Sequence, residues 1–280
     1  MKQRGIVLHG NVPLDNIYVT HKYPTEGTNN VAGKYIQRPG GIANLVWAFR
    51  AIDPFFPVEV NASLGLDWSG NIITDWFKAQ KILSHLHYTN VLPTSSASIV
   101  LNSFNGKKTS TVHWGACKYP PVPDLTKVGK EYSWHHFAYI DIFDTKKYET
   151  MMPYLGELRD AGYTLSADVA GVPTSLSKDI DLSPFHYVFM ALEDKDKYNL
   201  PPTTRTWGVF HNPSVIYLNW SNNGTYIGNL NPEIINCVGA GDILAAVIIH
   251  STMSFGRMID YNDLGKIYEL TERLLLRRQW

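Results

Sequence analysis

Short apolar runs alternate with longer amphipathic stretches along most of this chain. Gly5–His9, Pro57–Ser63, Phe137–Ile142, Tyr163–Val169, Tyr187–Met190 and Val215–Asn219 are predicted as strands by their length and their apolar or β-branched content. Helical spacing predicts helices over Gly41–Ile52, Ser69–Ala79, Lys146–Ala161, Ala240–Ser251 and Tyr261–Arg277. In the last of these Leu264, Ile267, Tyr268, Leu274 and Leu275 fall on one face. Strand–helix alternation implies an α/β fold: a doubly wound, mostly parallel sheet with helices on both faces. Such sheets bind ligands outside the carboxyl ends of their strands. Asp15, Gly41, Asp141 and Asp242 each follow or end a predicted strand, so they are expected to converge there.

Two segments, 11–38 and 94–116, break this rhythm. They hold short β-like runs, Asn16–Thr20, Ser98–Asn102 and Thr109–Trp114, which are expected to pair as a small inserted sheet over the strand ends. Such a sheet is either a lid that excludes water or a hairpin packed on the core. With no repeat, low-complexity tract or flexible linker, residues 1–280 read as a single α/β domain carrying that insertion.

The stretch Asn236-Cys237-Val238-Gly239-Ala240-Gly241-Asp242 carries the chemistry. Its small residues let several backbone N–H groups approach one anion, and the apolar helix that follows points its positive dipole end at the same spot. Asp242, in the first turn, can accept a proton from a hydroxyl beside that nest. An anion hole of Gly239, Ala240 and Gly241 next to a general base is what phosphoryl transfer to an alcohol requires. The competing reading is a tight strand-to-helix turn with Asp as a helix-start residue.

These residues, with others in the same order, resemble the ribokinase-like (PfkB) carbohydrate kinases. Gly239-Ala240-Gly241-Asp242 matches that family's second signature, with Asn236 and Cys237 in place of the usual Asp and Thr. Gly10-Asn11-Val12-Pro13-Leu14-Asp15, Gly40-Gly41-Ile42-Ala43-Asn44 and Gly65-Leu66-Asp67-Trp68-Ser69-Gly70 resemble three further elements, and Lys107-Lys108-Thr109-Ser110-Thr111 stands where the lid hairpin would be. The resemblance implies an ATP-dependent kinase. Asp242 would be the base, Asp15, Gly40, Gly41 and Asn44 would hold substrate hydroxyls, and Asp141 would join them at the rim. Two departures fall in the nucleotide half. The usual Asn-x-x-Glu places Ala191 and Asp194, and the usual Thr-x-Gly-x-x-Gly reads Asn219-Trp220-Ser221-Asn222-Asn223-Gly224, leaving Asn219 and Gly224 as nucleotide contacts. The implied cofactors are ATP and Mg²⁺, with a monovalent cation as an option and no metal ligands identified. A homodimer through the lid is a further option.

Composition narrows the choice. The 280 residues carry 25 basic and 25 acidic side chains, so no field draws nucleic acid. Two cysteines without metal spacing suit a reducing, cytoplasmic setting, and no apolar run is long enough for a bilayer. Gly65–Asn71 lacks the lysine of a Walker loop, and no Gly-x-Ser-x-Gly elbow occurs. A neutral sugar is the preferred substrate, with Lys34, Arg38, Lys107 and Lys108 read as solvating the lid. A nucleoside stacking on Tyr18, Tyr35 or Trp114 is the alternative. A ribokinase-fold protein that binds a ligand without turnover, as a regulatory protein would, is the third reading.

Overall fold

The computed structural model describes residues 3–122, 128–169, 180–198, 206–212, 215–219, 224–227 and 238–278. In chain order its strands are β1 (Gln3–Gly10), β2 (Leu14–Thr20), β3 (Lys34–Pro39), β4 (Val58–Gly65), β5 (Leu83–Thr89), β6 (Ser96–Asn102), β7 (Lys108–His113), β8 (Tyr132–Ala138), β9 (Thr164–Asp168), β10 (Tyr187–Ala191), β11 (Trp207–Asn212), β12 (Val215–Asn219) and β13 (Gly224–Ile227). The helices are α1 (Ile42–Ile52), α2 (Trp68–Ala79), α3 (Thr145–Asp160), α4 (Ala240–Phe255) and α5 (Tyr261–Arg277).

One large sheet runs β13-β12-β11-β10-β9-β8-β1-β4-β5. Every neighbouring pair from β11 to β5 is parallel, and β12 and β13 close the other edge as an antiparallel hairpin pair. Parallel strands are buried on both faces, which is why β1 and β4 read as apolar runs. On one face Leu45 and Phe49 of α1, Phe77 of α2, Ile248 of α4 and Leu264 of α5 pack over Leu8 and Val60. On the other, Met151, Leu155 and Leu158 of α3 pack over Phe137, Leu165 and Val188. Each such side chain contributes roughly 1.5–3 kcal/mol by leaving water.

The strand expected over Phe137–Ile142 lies earlier. β8 ends at Ala138, Tyr139 turns the chain with a left-handed φ of 56°, and a single 3₁₀ turn covers Ile140–Ile142. The polar look of Tyr132–His136 hides this strand, because its histidines are buried and each is held through Nδ1. His136 Nδ1 meets Ser166 Oγ at 2.8 Å and His135 Nδ1 meets His9 Nε2 at 2.9 Å. Burial pushes the His136 imidazole down to about 3, so it stays neutral in the core.

A second sheet, ordered β3-β2-β6-β7, stands over the carboxyl ends of the parallel strands; its central pair β2–β6 is parallel and its outer pairs are antiparallel. Ile17, Ile99 and Leu101 form its own small core with Val238. Asp67 fastens its base. The carboxylate caps α2 through Gly70 N at 2.8 Å while accepting from Thr94 N and Thr94 Oγ1, both at 2.7 Å. The Gly-x-Asp-x-x-Gly segment is therefore a structural clasp, and Leu14 N joins Ser95 O at 2.9 Å beside it. Among the described residues no helix is long and apolar enough to cross a membrane.

Candidate active site

Gly239 begins α4 in the left-handed conformation, φ 80°, where L side chains are strained. A Cβ there would also sit 2.6 Å from Asn44 Nδ2. That opening lets α1 and the first turn of α4 approach closely enough for Asn44 Nδ2 to donate to Asp242 Oδ2 at 2.6 Å. Tyr139 OH donates to Asp242 Oδ1 at 2.8 Å, so the strained turn after β8 is what aims this phenol. Arg278, just past α5, donates through Nη2 to Asn44 Oδ1 and lies 5.2 Å over the Trp47 ring. Its hydrogen bond fixes the Asn44 amide with the NH₂ toward the carboxylate. Burial raises the Asp242 pKa, while the Asn44 and Tyr139 hydrogen bonds and the Arg278 and Lys108 charges oppose the rise.

Asp15, at the start of β2, lies 4% exposed against Gly40, where a Cβ would fall 2.2 Å from Asp15 Oδ2. Only glycine lets the carboxylate settle there. Burial pushes Asp15 up to about 7, with Arg38 pulling down and Asp242 pushing further up. Asp15, Gly41, Asn44, Tyr139, Gly239 and Asp242 share one cavity of about 210 Å³, roofed by Ile99, Lys108, Ser110 and Trp114 of the small sheet and its flank. Asn11 Oδ1 in the same wall is buried without a hydrogen-bond partner. Tyr18 and Tyr35 lie elsewhere, in tilted contact with one another on the outer surface of the small sheet. Lys108 is exposed, as expected, and also lines this cavity and the next.

Asp141 does not reach the cavity. The 3₁₀ turn buries it completely, and Tyr198 OH donates to its Oδ2 at 2.8 Å. The strand-end carboxylate nearest the site is Asp168 of β9, which the sequence reading passed over. Burial and the charges of Asp242 and Asp141 hold its pKa well above the ordinary carboxylate value.

A second cavity of about 260 Å³ lies on the other side of the α4 start, lined by Lys108, Ala191, Glu193, His211, Ala240, Gly241 and apolar side chains that include Leu244 and Leu275. Burial holds His211 down, to about 4, and its ring packs so near Gly241 that a Cβ there would fall 2.9 Å from His211 Cε1. Glu193, rather than Asp194, faces this space; Asp194 is paired with Lys197. Asn219 and Gly224 need correcting as well. Because β12 runs antiparallel, Asn219 pairs with Gly208 and Gly224 with Leu218, toward the amino ends of the parallel strands. The strand end at the rim is His211-Asn212 of β11. Trp220–Asn223, Asn236 and Cys237 lie outside the described residues. Among those residues no group of three or more His, Cys, Asp or Glu is placed to hold a metal ion.

No protein-family model and no curated protein matches the sequence. Solved structures do match in shape. Ribokinase from Giardia lamblia aligns with a TM-score of 0.72 at 14% identity, covering 98% of this chain and 90% of that one. The fold is ribokinase-like. A nucleoside kinase of the ribokinase family from Methanocaldococcus jannaschii aligns at TM-score 0.71 and 18% identity, covering 99% of this chain and 93% of that one. Arabidopsis thaliana ribokinase, solved with ribose and ATP, aligns at 0.70 and 14%, covering 100% and 94%. Within this ribokinase-like fold both cavities sit outside the carboxyl ends of the parallel strands, on either side of the first turn of α4.

Proposed function

We propose that this chain is an ATP-dependent kinase that phosphorylates a hydroxyl of a small neutral sugar. The observation that carries the reading is Asp242, held by Asn44 and Tyr139 in a cavity it shares with Gly239, while Ala240 and Gly241 of the same turn line the second cavity. In this reading the 210 Å³ cavity takes the acceptor and the 260 Å³ cavity takes the nucleotide. Asp242 accepts the hydroxyl proton; its two neutral donors oppose the rise in pKa that burial causes. The free amides of the first turn of α4 stabilise the charge of the transferring group in this reading. Lys108 lines both cavities and adds a positive charge to each. The small sheet is the lid that keeps water from the reaction.

The acceptor cavity favours a polyol. Asn11 Oδ1 and Asp15 present buried acceptors to hydroxyl donors, and about 210 Å³ is below the roughly 300–1,000 Å³ of sites for drug-sized ligands. That size suits one ring better than a two-ring nucleoside. Trp114 supports the nucleoside reading, since a flat base would stack on it. The Arabidopsis thaliana ribokinase, whose solved structure holds ribose and ATP, supports the sugar and the nucleotide alike. Mg²⁺ fits the nucleotide cavity to the extent that this ion needs only one or two carboxylates beside phosphates, and Glu193 is placed to be one. When bound it would neutralise phosphate charge.

The test is ADP release from Mg-ATP across a panel of neutral sugars and nucleosides, repeated with Asp242→Asn. A sugar-dependent rate that falls at least ~10²-fold in the variant is expected. No turnover with any acceptor, together with thermal stabilisation by a sugar but none by Mg-ATP, would establish the non-catalytic binding protein instead.

A further inference from the structure

On the opposite side of the sheet, at the amino ends of the parallel strands, lies a cavity of about 620 Å³ that takes no part in the reading above. Its walls come from the start of β1 (Arg4), β8 (Ser133, Trp134), β9 (Thr164), β10 (His186, Tyr187) and β11 (Trp207), and from the far end of α4. Arg4, Arg159 and Arg257 converge on it, and no Asp or Glu is among the described residues that line it. Arg257 is committed to Asp263, at 2.8 and 3.0 Å. The other two are bound to neutral groups: Arg4 to Ser254 Oγ at 2.5 Å and His250 Nε2 at 3.0 Å, Arg159 to the Ser183 carbonyl. Both carry charge that no carboxylate in the wall balances. Burial and the neighbouring guanidinium lower the pKa of His186 and of His250. The floor is aromatic: the Tyr187 ring lies 5.1 Å from Trp134 and 6.0 Å from Trp207.

We propose that this cavity is a second ligand site, for a small molecule that joins a phosphate or carboxylate to a flat ring. The anion meets Arg4 and Arg159, the hydroxyls of Ser133 and Thr164 supply further donors, and the ring lies along His186 and Trp207. The volume falls inside the range of sites that enclose a whole small ligand. Each arginine also lies near a helix end, where a cation complements the dipole. That role needs no ligand, and it does not require three guanidinium groups and three large rings around one space.

The test is calorimetric titration of the full chain with 1-naphthyl phosphate, inorganic phosphate and 1-naphthol at fixed ionic strength. Saturable binding of 1-naphthyl phosphate is expected, at least tenfold tighter than either fragment. It should weaken at least tenfold in Arg4→Met and in Arg159→Glu, the latter on the half-exposed last turn of α3, where charge reversal disturbs no core; thermal unfolding checks both folds. Lys108→Glu, which alters the two cavities on the other side, should leave it unchanged. The proposal is overturned by no heat up to about 1 mM, by equal binding in both arginine variants, or by loss of binding in Lys108→Glu. Inorganic phosphate binding as tightly as the aryl ester would also overturn it, since the ring would then contribute nothing.

Discussion

Arg278 is the residue whose removal tests the site most sharply, because it acts on Asp242 through Asn44. Arg278→Met keeps length and apolar packing but withdraws the donor to Asn44 Oδ1 and the cation over Trp47. A buried acceptor left unpaired costs about 1–3 kcal/mol, and the lost cation–π contact about 0.5–2 kcal/mol. At ~2–4 °C per kcal/mol for a chain of this size, the melting temperature should fall by roughly 3–20 °C. The catalytic effect has a definite sign. The Arg278 charge lowers the Asp242 pKa, so its loss raises that pKa further. A base works in its ionised form. The acid limb of the kcat/KM profile should therefore move to higher pH, with rate lost below the pKa and little lost well above it. Arg278→Lys should restore the limb, since it restores the charge, but only part of the thermal stability. The assay is sugar-dependent ADP release between pH 5 and 9, paired with thermal unfolding. An acid limb that stays in place in Arg278→Met, whatever happens to the rate at one pH, refutes the electrostatic link between Arg278 and Asp242.

Further outcomes follow from the same geometry. Asp15→Asn should be more stable than the parent at pH 8, where the buried carboxylate is ionised, and lose roughly 2–3 kcal/mol of that advantage by pH 5, once Asp15 with its pKa near 7 has taken up its proton; urea unfolding at the two pH values checks this. Gly40→Ala drives a methyl onto the Asp15 carboxylate and should raise the sugar KM while costing about 1–3 kcal/mol, read by kinetics and denaturant unfolding. Lys108→Met should lower kcat by ~10-fold or more with its fold intact, and an unchanged kcat would leave Lys108 no role beyond solvating the lid. Asp67→Ala removes a helix cap and both Thr94 contacts and should cost about 2 kcal/mol or more, measured as a shift in melting temperature.

Much of the fold was legible because parallel strands buried on both faces write themselves as apolar runs. β1, β4, β9 and β10 carry that mark, and helical spacing places all five helices to within a few residues. β5 was missed because it is an edge strand, with Leu83, His87 and Tyr88 left largely outside. β8 was displaced because its buried histidines look polar when their partners, Ser166 and His9, cannot be seen. The Gly239–Asp242 turn and Gly40–Asn44 were legible for a different reason: close backbone approach demands glycine at fixed spacing. Tyr139, Asp168, Lys108, His211 and Arg278 have no such signal. Each arrives from a different strand end or tail, and only the topology brings it beside Asp242. The direction of β12 was likewise invisible, since an antiparallel return has the same composition as a parallel one, and that is why Asn219 and Gly224 were misplaced.

The stitch between Leu14 and Ser95, backed by the Asp67 knot on Thr94, pins both ascending chains of the small sheet side by side at its root. Any swing of that flap must therefore pivot above those two residues. Asp15, one position beyond the pivot, would barely travel, whereas Lys108 on the outermost strand would sweep the widest arc. The proposed acceptor anchor would stay put while the positive charge came and went.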